Sequence, residues 1–586
     1  MKCIKLIPLA IFLLFNFCLA QDIPGMTYPV DPAQQGHPDV PKGEVFQFDL
    51  NQSRIYPDTK RTVWVYVPAE YDPAKPACLY VDMDGIQFGA PTVFDYLIHK
   101  GEMPITIAVF VSSGTLMKDG KEALRYDRSH EFDAMNNDFV DFLLTEVLPA
   151  VEAKTTTDGR AIHFSNDAND HAIAGASSGA ICAFTAAWQR PDVFNRVYSS
   201  IGTYVSMRGG DQYPGLIRKT EPKPIRIFLQ DGDKDAWNPL FGSWYMANLN
   251  MEAALSFAGY EVNHAWGHGG HDGVQASAIF PDVMRWLWKG WPQKVVGGKS
   301  NNDMLEMILP DSGSWETVHP EIIALAIASD TNHSVLVEDI AGMKSEITVK
   351  GTLKSDKDNE PKSYALAIGP NATAELQETG DLKVFTQGLA KISVFDKMYA
   401  NKAVFDNKGN LYTSTPEMFG NGKIETGKIW LVKPGAPPVK VDEGLRFASA
   451  LTLSPDHKLL YVAEDNTNWI YSYAINDDGT LRDKERWYWL HQTDNDGYSK
   501  VSDLAVDDRG NLYAATNLGV QVCDQNGRVR AILQLPGGPI TGLCFGGPDF
   551  DTLFVICGGK LYKRKLKVKG VPSWATPVHA ESQGGG

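Results

Sequence analysis

Gly175-Ala176-Ser177-Ser178-Gly179 matches Gly-x-Ser-x-Gly, a pattern in which a serine hydroxyl can be presented as a nucleophile. An apolar run, His171 to Ala174, leads into it, and a helical pattern, Ser178 to Gln189, follows directly. A strand–sharp turn–helix of this kind lifts Ser177 above the strand end and leaves the Ser178 N–H free to face an oxyanion. Serine needs a base, and the base needs an orienting carboxylate. The apolar run Ile225 to Gln230 ends in Asp231-Gly232-Asp233-Lys234-Asp235. Asp235 lies beyond the glycine, where the chain can turn back over the strand end, and is the preferred acid; Asp231 and Asp233 remain alternatives. Among His264, His268 and His271, the preferred base is His271, which follows a glycine pair and precedes an apolar helical stretch. His264 reads as a strand-face residue. The three histidines lack the acidic partners and regular spacing of a zinc site. A second oxyanion donor is expected from the loop after Cys78 to Val81, so the backbone N–H of Ile86 is paired with that of Ser178. Trp237, Trp244 and Trp266 flank these motifs and can stack on a sugar or aromatic acyl group, or simply pack.

Elements able to hold such a site are legible in the hydrophobic pattern. Short apolar or β-branched runs (Thr62 to Val67, Cys78 to Val81, Ile105 to Val111, His171 to Ala174, Ile225 to Leu229) alternate with helical segments such as Asn137 to Val151. That alternation predicts a doubly wound, mostly parallel sheet over 44–293, with helices on both faces. In α/β-hydrolases, which share this layout, nucleophile, acid and histidine follow in the order found here. Residues 294–305, with Gly297-Gly298-Lys299-Ser300-Asn301-Asn302, read as a linker. Beyond residue 306 the long helical period disappears, and a turn followed by a short apolar strand recurs: Asp406 to Tyr412, Ser454 to Tyr461, Asp507 to Tyr513 and Gly547 to Phe554. Weaker copies lie at Val335 to Val337 and Tyr364 to Ile368. The spacing, about 40–50 residues, is that of one propeller blade, which predicts an all-β six-bladed propeller over 306–578 and a tail at 579–586.

Residues 1–20 have a positive start, an apolar run from Leu6 to Leu14 and small residues before Gln21, as in a cleaved signal peptide, so a periplasmic or secreted location is expected. The alternative, acylation at Cys18, fits Phe15-Asn16-Phe17 poorly. Residues 21–43 read as an N-terminal arm. A formal net charge of −16 argues against nucleic-acid or anionic-membrane partners. Beyond the leader, Cys78, Cys182, Cys523, Cys544 and Cys557 form neither a disulfide framework nor a zinc site, though one bridge in the C-terminal half is open.

With these motifs in hand, residues 44–293 resemble the esterase D, enterochelin-esterase-like family, which includes carbohydrate esterase family one. The resemblance rests on Ala174-Gly175-Ala176-Ser177-Ser178-Gly179, Phe228 to Asp235 and Gly267-His268-Gly269-Gly270-His271. It implies cofactor-free serine esterase action on acyl esters, often acetyl or feruloyl groups on plant polysaccharide, or on siderophore esters, and it supports Asp235. Residues 306–575 resemble the gluconolactonase and senescence-marker-protein propellers, most clearly from Asn401 onward. Those hold one divalent metal in the central channel with Glu, Asn and Asp, and a further Asn nearby. Asp503 matches the metal Asp and Asn401 the further Asn; Ser449 stands where the metal Asn belongs, and Glu321 is a candidate Glu without the following Gly-Pro. A calcium ion held by so few oxygens would bind weakly. The leading expectation is an exported esterase acting on a carbohydrate ester; the alternatives are a metal-dependent sugar lactonase or a non-catalytic glycan-binding protein.

Overall fold

The computed structural model describes residues 28–341, 343–348, 353–357, 362–386, 391–416, 418–420 and 423–580. The signal-peptide expectation lies outside them. The chain divides into two compact units. The first comprises the chain up to Asp211 with Ile225–Glu252 and Val262–Val295; the second runs from Val296 and also takes Gln212–Pro224 and Ala253–Glu261. The boundary is therefore not one cut near residue 293: two segments inside 44–293 pack with the second unit.

The first unit is built on strands β1 (Glu44–Leu50), β2 (Thr59–Val67), β3 (Cys78–Met83), β4 (Thr106–Val111), β5 (Thr115–Lys118), β6 (Glu122–Tyr126), β7 (His171–Ala176), β8 (Arg196–Ser200) and β9 (Arg226–Gly232). With the strand Glu261–Gly267 they form one ten-stranded sheet. β3 lies between β4 and β7, parallel to both; β8 and β9 extend the parallel region, whereas β1 and β2 are antiparallel. Every residue of β3, β4, β8 and β9 is buried, which is why β3, β4 and β9 read as continuous runs rather than alternating ones; β8, with Arg196, Ser199 and Ser200 in five residues, carries no such run. On one face, Phe94 of the helix Ala90–His99 and Phe280 of the helix Val274–Leu287 pack on Tyr80 and each other. The N-terminal arm is docked, not loose: Arg285 pairs with Asp31 at 2.7 Å, and Gln34 Nε2 donates to Ser277 O at 2.8 Å.

The second unit contains six four-stranded antiparallel sheets, a six-bladed β-propeller. The first strand, Glu316–His319, pairs with Lys560–Lys565, the last, so the closing blade draws strands from both ends of the domain. The recurrent turn has a physical cause. Asp406 Oδ1 accepts from the N–H groups of Lys408 and Asn410, and Asp507 Oδ1 from those of Arg509 and Asn511, so each aspartate closes the hairpin that begins its strand. The linker expected over 294–305 ends early: Asn302 caps the helix Asp303–Ile308, which buries Met304, Leu305 and Ile308. All five cysteines among the described residues are free thiols.

Candidate active site

Ser177 sits between β7 and the helix Ser178–Gln189 with φ 59° and ψ −119°, a strained conformation for a residue with a Cβ. It is held from both sides: Ser177 N–H donates to Ser200 O at 3.0 Å, and Thr203 N–H donates to Ser177 O at 3.2 Å. Gly175 is required by close packing, because a Cβ there would lie 2.3 Å from Gly179 backbone atoms.

His271 Nε2 is 2.8 Å from Ser177 Oγ, and His271 Nδ1 is 2.5 Å from Asp235 Oδ1. An ionised carboxylate accepts from Nδ1–H, which leaves the Nε2 lone pair to accept the serine proton. The acid and histidine loops are sewn together. Asp233 N–H donates to Gly267 O at 2.9 Å and Lys234 N–H to Gly269 O at 3.2 Å. Their backbones approach so closely that a Cβ on Gly232 would lie 2.3 Å from Gly269 O. Of the three aspartates, Asp235 faces His271, Asp233 pairs with exposed His268 at 2.8 Å, and Asp231 is fully buried behind them. Burial, reinforced by the neighbouring Asp235 carboxylate, holds Asp231 well above the usual carboxylate range. His264 stacks on Trp266, with ring centroids 4.9 Å apart.

The N–H groups of Ile86 and Ser178 have no acceptor among the described residues, so both are available to a developing oxyanion. The Ile86 loop is anchored by Asp84, whose carboxylate receives Arg128 Nε at 2.8 Å and Nη2 at 2.7 Å; Arg128 Nη2 also reaches Ala176 O beside the nucleophile. The three tryptophans part company. Trp237 is 71% exposed in a short hairpin. Trp266 is half-buried, covered by His264 on one side and met edge-on by Tyr245. Trp244 is 6% exposed and offers no stacking face: its indole N–H donates to Thr203 Oγ1 at 3.2 Å, and its ring meets His271 edge-on. With Thr203 Oγ1 accepting from Trp244, the Thr203 hydroxyl can donate to Ser177 Oγ, 3.3 Å away. Sequence reading missed Thr203, Arg128 and Asn248, whose Nδ2 donates to Asp231 Oδ2 at 2.8 Å, since none falls within a motif. Asp84 lay inside the expected oxyanion loop, and its neighbourhood to Ile86 was the available signal.

In the propeller, Asp503 Oδ1 accepts from Leu504 N–H and Oδ2 from Leu543 N–H, and Lys402 Nζ stands 3.8 Å from Oδ2. Asn401 turns its Nδ2 to Ala448 O, Ser449 Oγ is buried without a hydrogen-bond partner, and Glu321 is exposed. The residues expected to hold a divalent cation therefore do not form a ligand set: a lysine ammonium already faces the Asp503 carboxylate, and the Glu321 side chain is exposed. Among the described residues, no group of three His, Cys, Asp or Glu side chains is placed to hold a metal.

Residues 55–319 match the esterase family model, and residues 362–558 match the SMP-30/Gluconolactonase/LRE-like region. Among curated relatives, an uncharacterized protein of Sulfolobus acidocaldarius is 26% identical over 30% of this chain and 65% of its own length. The pentonolactonase XacC of Haloferax volcanii is 24% identical over 27% of this chain and 53% of its own length. The chain thus spans only about half to two-thirds of these relatives. Among solved structures, the enterobactin esterase of Shigella flexneri is 23% identical, covering 44% of this chain and 63% of that one, with a TM-score of 0.34.

Proposed function

We propose that this protein is a serine esterase that hydrolyses acyl esters, of acetyl or feruloyl type on a carbohydrate, through a covalent acyl-enzyme. The observation that carries the reading is the unbroken chain Ser177 Oγ, His271 Nε2, His271 Nδ1, Asp235 Oδ1. Its two links, with the N–H groups of Ile86 and Ser178 left without an acceptor among the described residues, support acyl transfer. Ser177 Oγ attacks the ester carbonyl as its proton passes to His271 Nε2. The oxygen gains charge facing the two N–H groups, the bond to the alcohol breaks, and His271 returns the proton to the departing alkoxide. Water, deprotonated by the same histidine, then releases the acid and regenerates Ser177. Trp237, 71% exposed, supports a planar sugar or aromatic group in the substrate. Action beyond the cytoplasmic membrane is supported by the composition of residues 1–20. The propeller is read as non-catalytic, because Lys402 faces the carboxylate that a lactonase metal would need.

Hydrolysis of 4-nitrophenyl acetate and methyl ferulate by wild type and Ser177→Ala, each with and without EDTA, tests the reading. The expected result is chelator-insensitive turnover that Ser177→Ala abolishes. Turnover that survives Ser177→Ala and dies with EDTA contradicts it.

A further inference from the structure

We propose that Asp231 is a positioning residue for the triad: a buried carboxylic acid that donates its proton to Asp235 Oδ2, leaving one negative charge on the pair and Oδ1 aimed at His271. The inference rests on the triad reading and adds to it a residue that does not touch the substrate.

The argument is one of hydrogen-bond accounting. Asp235 Oδ1 already accepts from His271 Nδ1–H and from Ala236 N–H, each at 2.5 Å. Asp235 Oδ2 is buried and no ordinary donor reaches it. Asp231, at the end of β9, has no solvent exposure; its Oδ1 accepts from Gly232 N–H at 2.6 Å and its Oδ2 from Asn248 Nδ2 at 2.8 Å. Asn248 cannot be turned to take a proton, because the same Nδ2 lies 2.9 Å from Gly202 O and 3.0 Å from Trp244 O, both acceptors. The side chains of Asp231 and Asp235 are within hydrogen-bonding reach of each other. Two carboxylates both accept, so this contact exists only with a proton between them. Asp235 must be ionised to stabilise the imidazolium, which assigns the proton to Asp231. Desolvation acts in the same direction, raising Asp231.

Asp235 is the charged side chain beside Asp231; His271 is bound to Asp235 Oδ1, and Asp233 is engaged by His268. Ionisation of Asp231 at alkaline pH would place two like charges side by side and remove the donor to Oδ2. Activity should then fall along an alkaline limb that belongs to this pair.

The experiment compares kcat and KM for 4-nitrophenyl acetate from pH 6 to 10 in wild type, Asp231→Asn, Asp231→Ala and Ser177→Ala, with folding checked by circular dichroism. In Asp231→Asn the amide N–H replaces the acid proton but faces one of the two donors on Asp231, so a loss of at most about fivefold is expected at pH 7. Its alkaline limb should disappear. Asp231→Ala should lower kcat at least about 30-fold with KM within twofold. Wild-type kcat in Asp231→Ala, an alkaline limb left in place by Asp231→Asn, or no such limb in wild type overturns the inference. If Asp231→Ala does not fold, the Asp231→Asn profile decides. Hydrolysis surviving in Ser177→Ala would instead sink the triad reading itself.

Discussion

Asparagine and alanine at position 235 should differ in a way the hydrogen-bond pattern dictates. Ala236 N–H donates to Asp235 Oδ1, the oxygen that also receives His271 Nδ1–H. In Asp235→Asn the amide oxygen is held at that position by both donors, and the amide N–H₂ turns to the buried Asp231 carboxyl. The histidine tautomer is therefore kept, and the carboxylate charge is what disappears. Two unit charges about 4 Å apart at an effective dielectric of about 20 interact by about 4 kcal/mol, which caps the loss near 10³-fold in kcat. A charge recovered by ionisation of Asp231 would reduce it further. Asp235→Ala removes orientation as well as charge, and the loss should approach the 10⁴-fold or more seen when a triad acid is deleted. The assay is pre-steady-state and steady-state hydrolysis of 4-nitrophenyl acetate at pH 8, with KM measured separately. A loss in Asp235→Asn equal to or larger than that in Asp235→Ala, or less than about tenfold in Asp235→Ala, would refute the reasoning.

Three further outcomes follow from buried charge. Arg61 and Glu131 form a bidentate pair at 2.7 and 2.8 Å with no side-chain exposure, and Glu131 also accepts from Gly114 N–H. Glu131→Gln strands the guanidinium, which should cost about 3–5 kcal/mol and lower the melting temperature of the first unit by about 10 °C in calorimetry; no change would count against the pair. Burial pushes Asp82 well above the usual range, while Tyr80 O–H donates to its Oδ2 at 3.0 Å and Oδ1 has no partner. The folded state then binds this proton more tightly than the unfolded chain, so stability is full at acid pH and is lost as pH rises toward the folded value. Asp82→Asn should flatten the decline in urea midpoint as pH rises above the ordinary carboxylate range; a decline as steep as wild type contradicts this. Finally, 5 mM calcium or EDTA should leave the propeller's melting temperature unchanged, because Lys402 faces Asp503. A rise with calcium, which saturation at 100 times Kd would make about 2.7 kcal/mol, would show that the cation displaces the lysine.

The parallel sheet was legible because its strands are buried on both faces and carry unbroken apolar runs at their centres, as Leu79 to Val81 in β3, Ile107 to Val111 in β4 and Ile227 to Leu229 in β9 show. The blade repeat was legible because in the turns before Tyr412 and Tyr513 one aspartate accepts two backbone donors, a local device that leaves a local signature. Ser177 and His271 announced themselves through glycines that the turns require. What lies outside motifs stayed hidden. Trp244 looks like a stacking platform in sequence, yet it packs behind His271 with its N–H on Thr203, a contact 41 residues away. The difference between Asp231 and Asp235 depends on whether Asn248 or His271 meets the carboxylate, which spacing does not encode. The meeting of Lys402 with Asp503 is likewise a matter of cross-blade approach: the two belong to different sheets.

The central claim is that Ser177 becomes acylated. Mixing the enzyme with a fluorophosphonate, or quenching 4-nitrophenyl acetate turnover in acid, followed by peptide mass spectrometry, reads this directly. One adduct on the peptide containing Ser177 is predicted, formed far more slowly in the His271→Ala variant. An adduct on another residue, or turnover with no adduct on Ser177, would contradict the account.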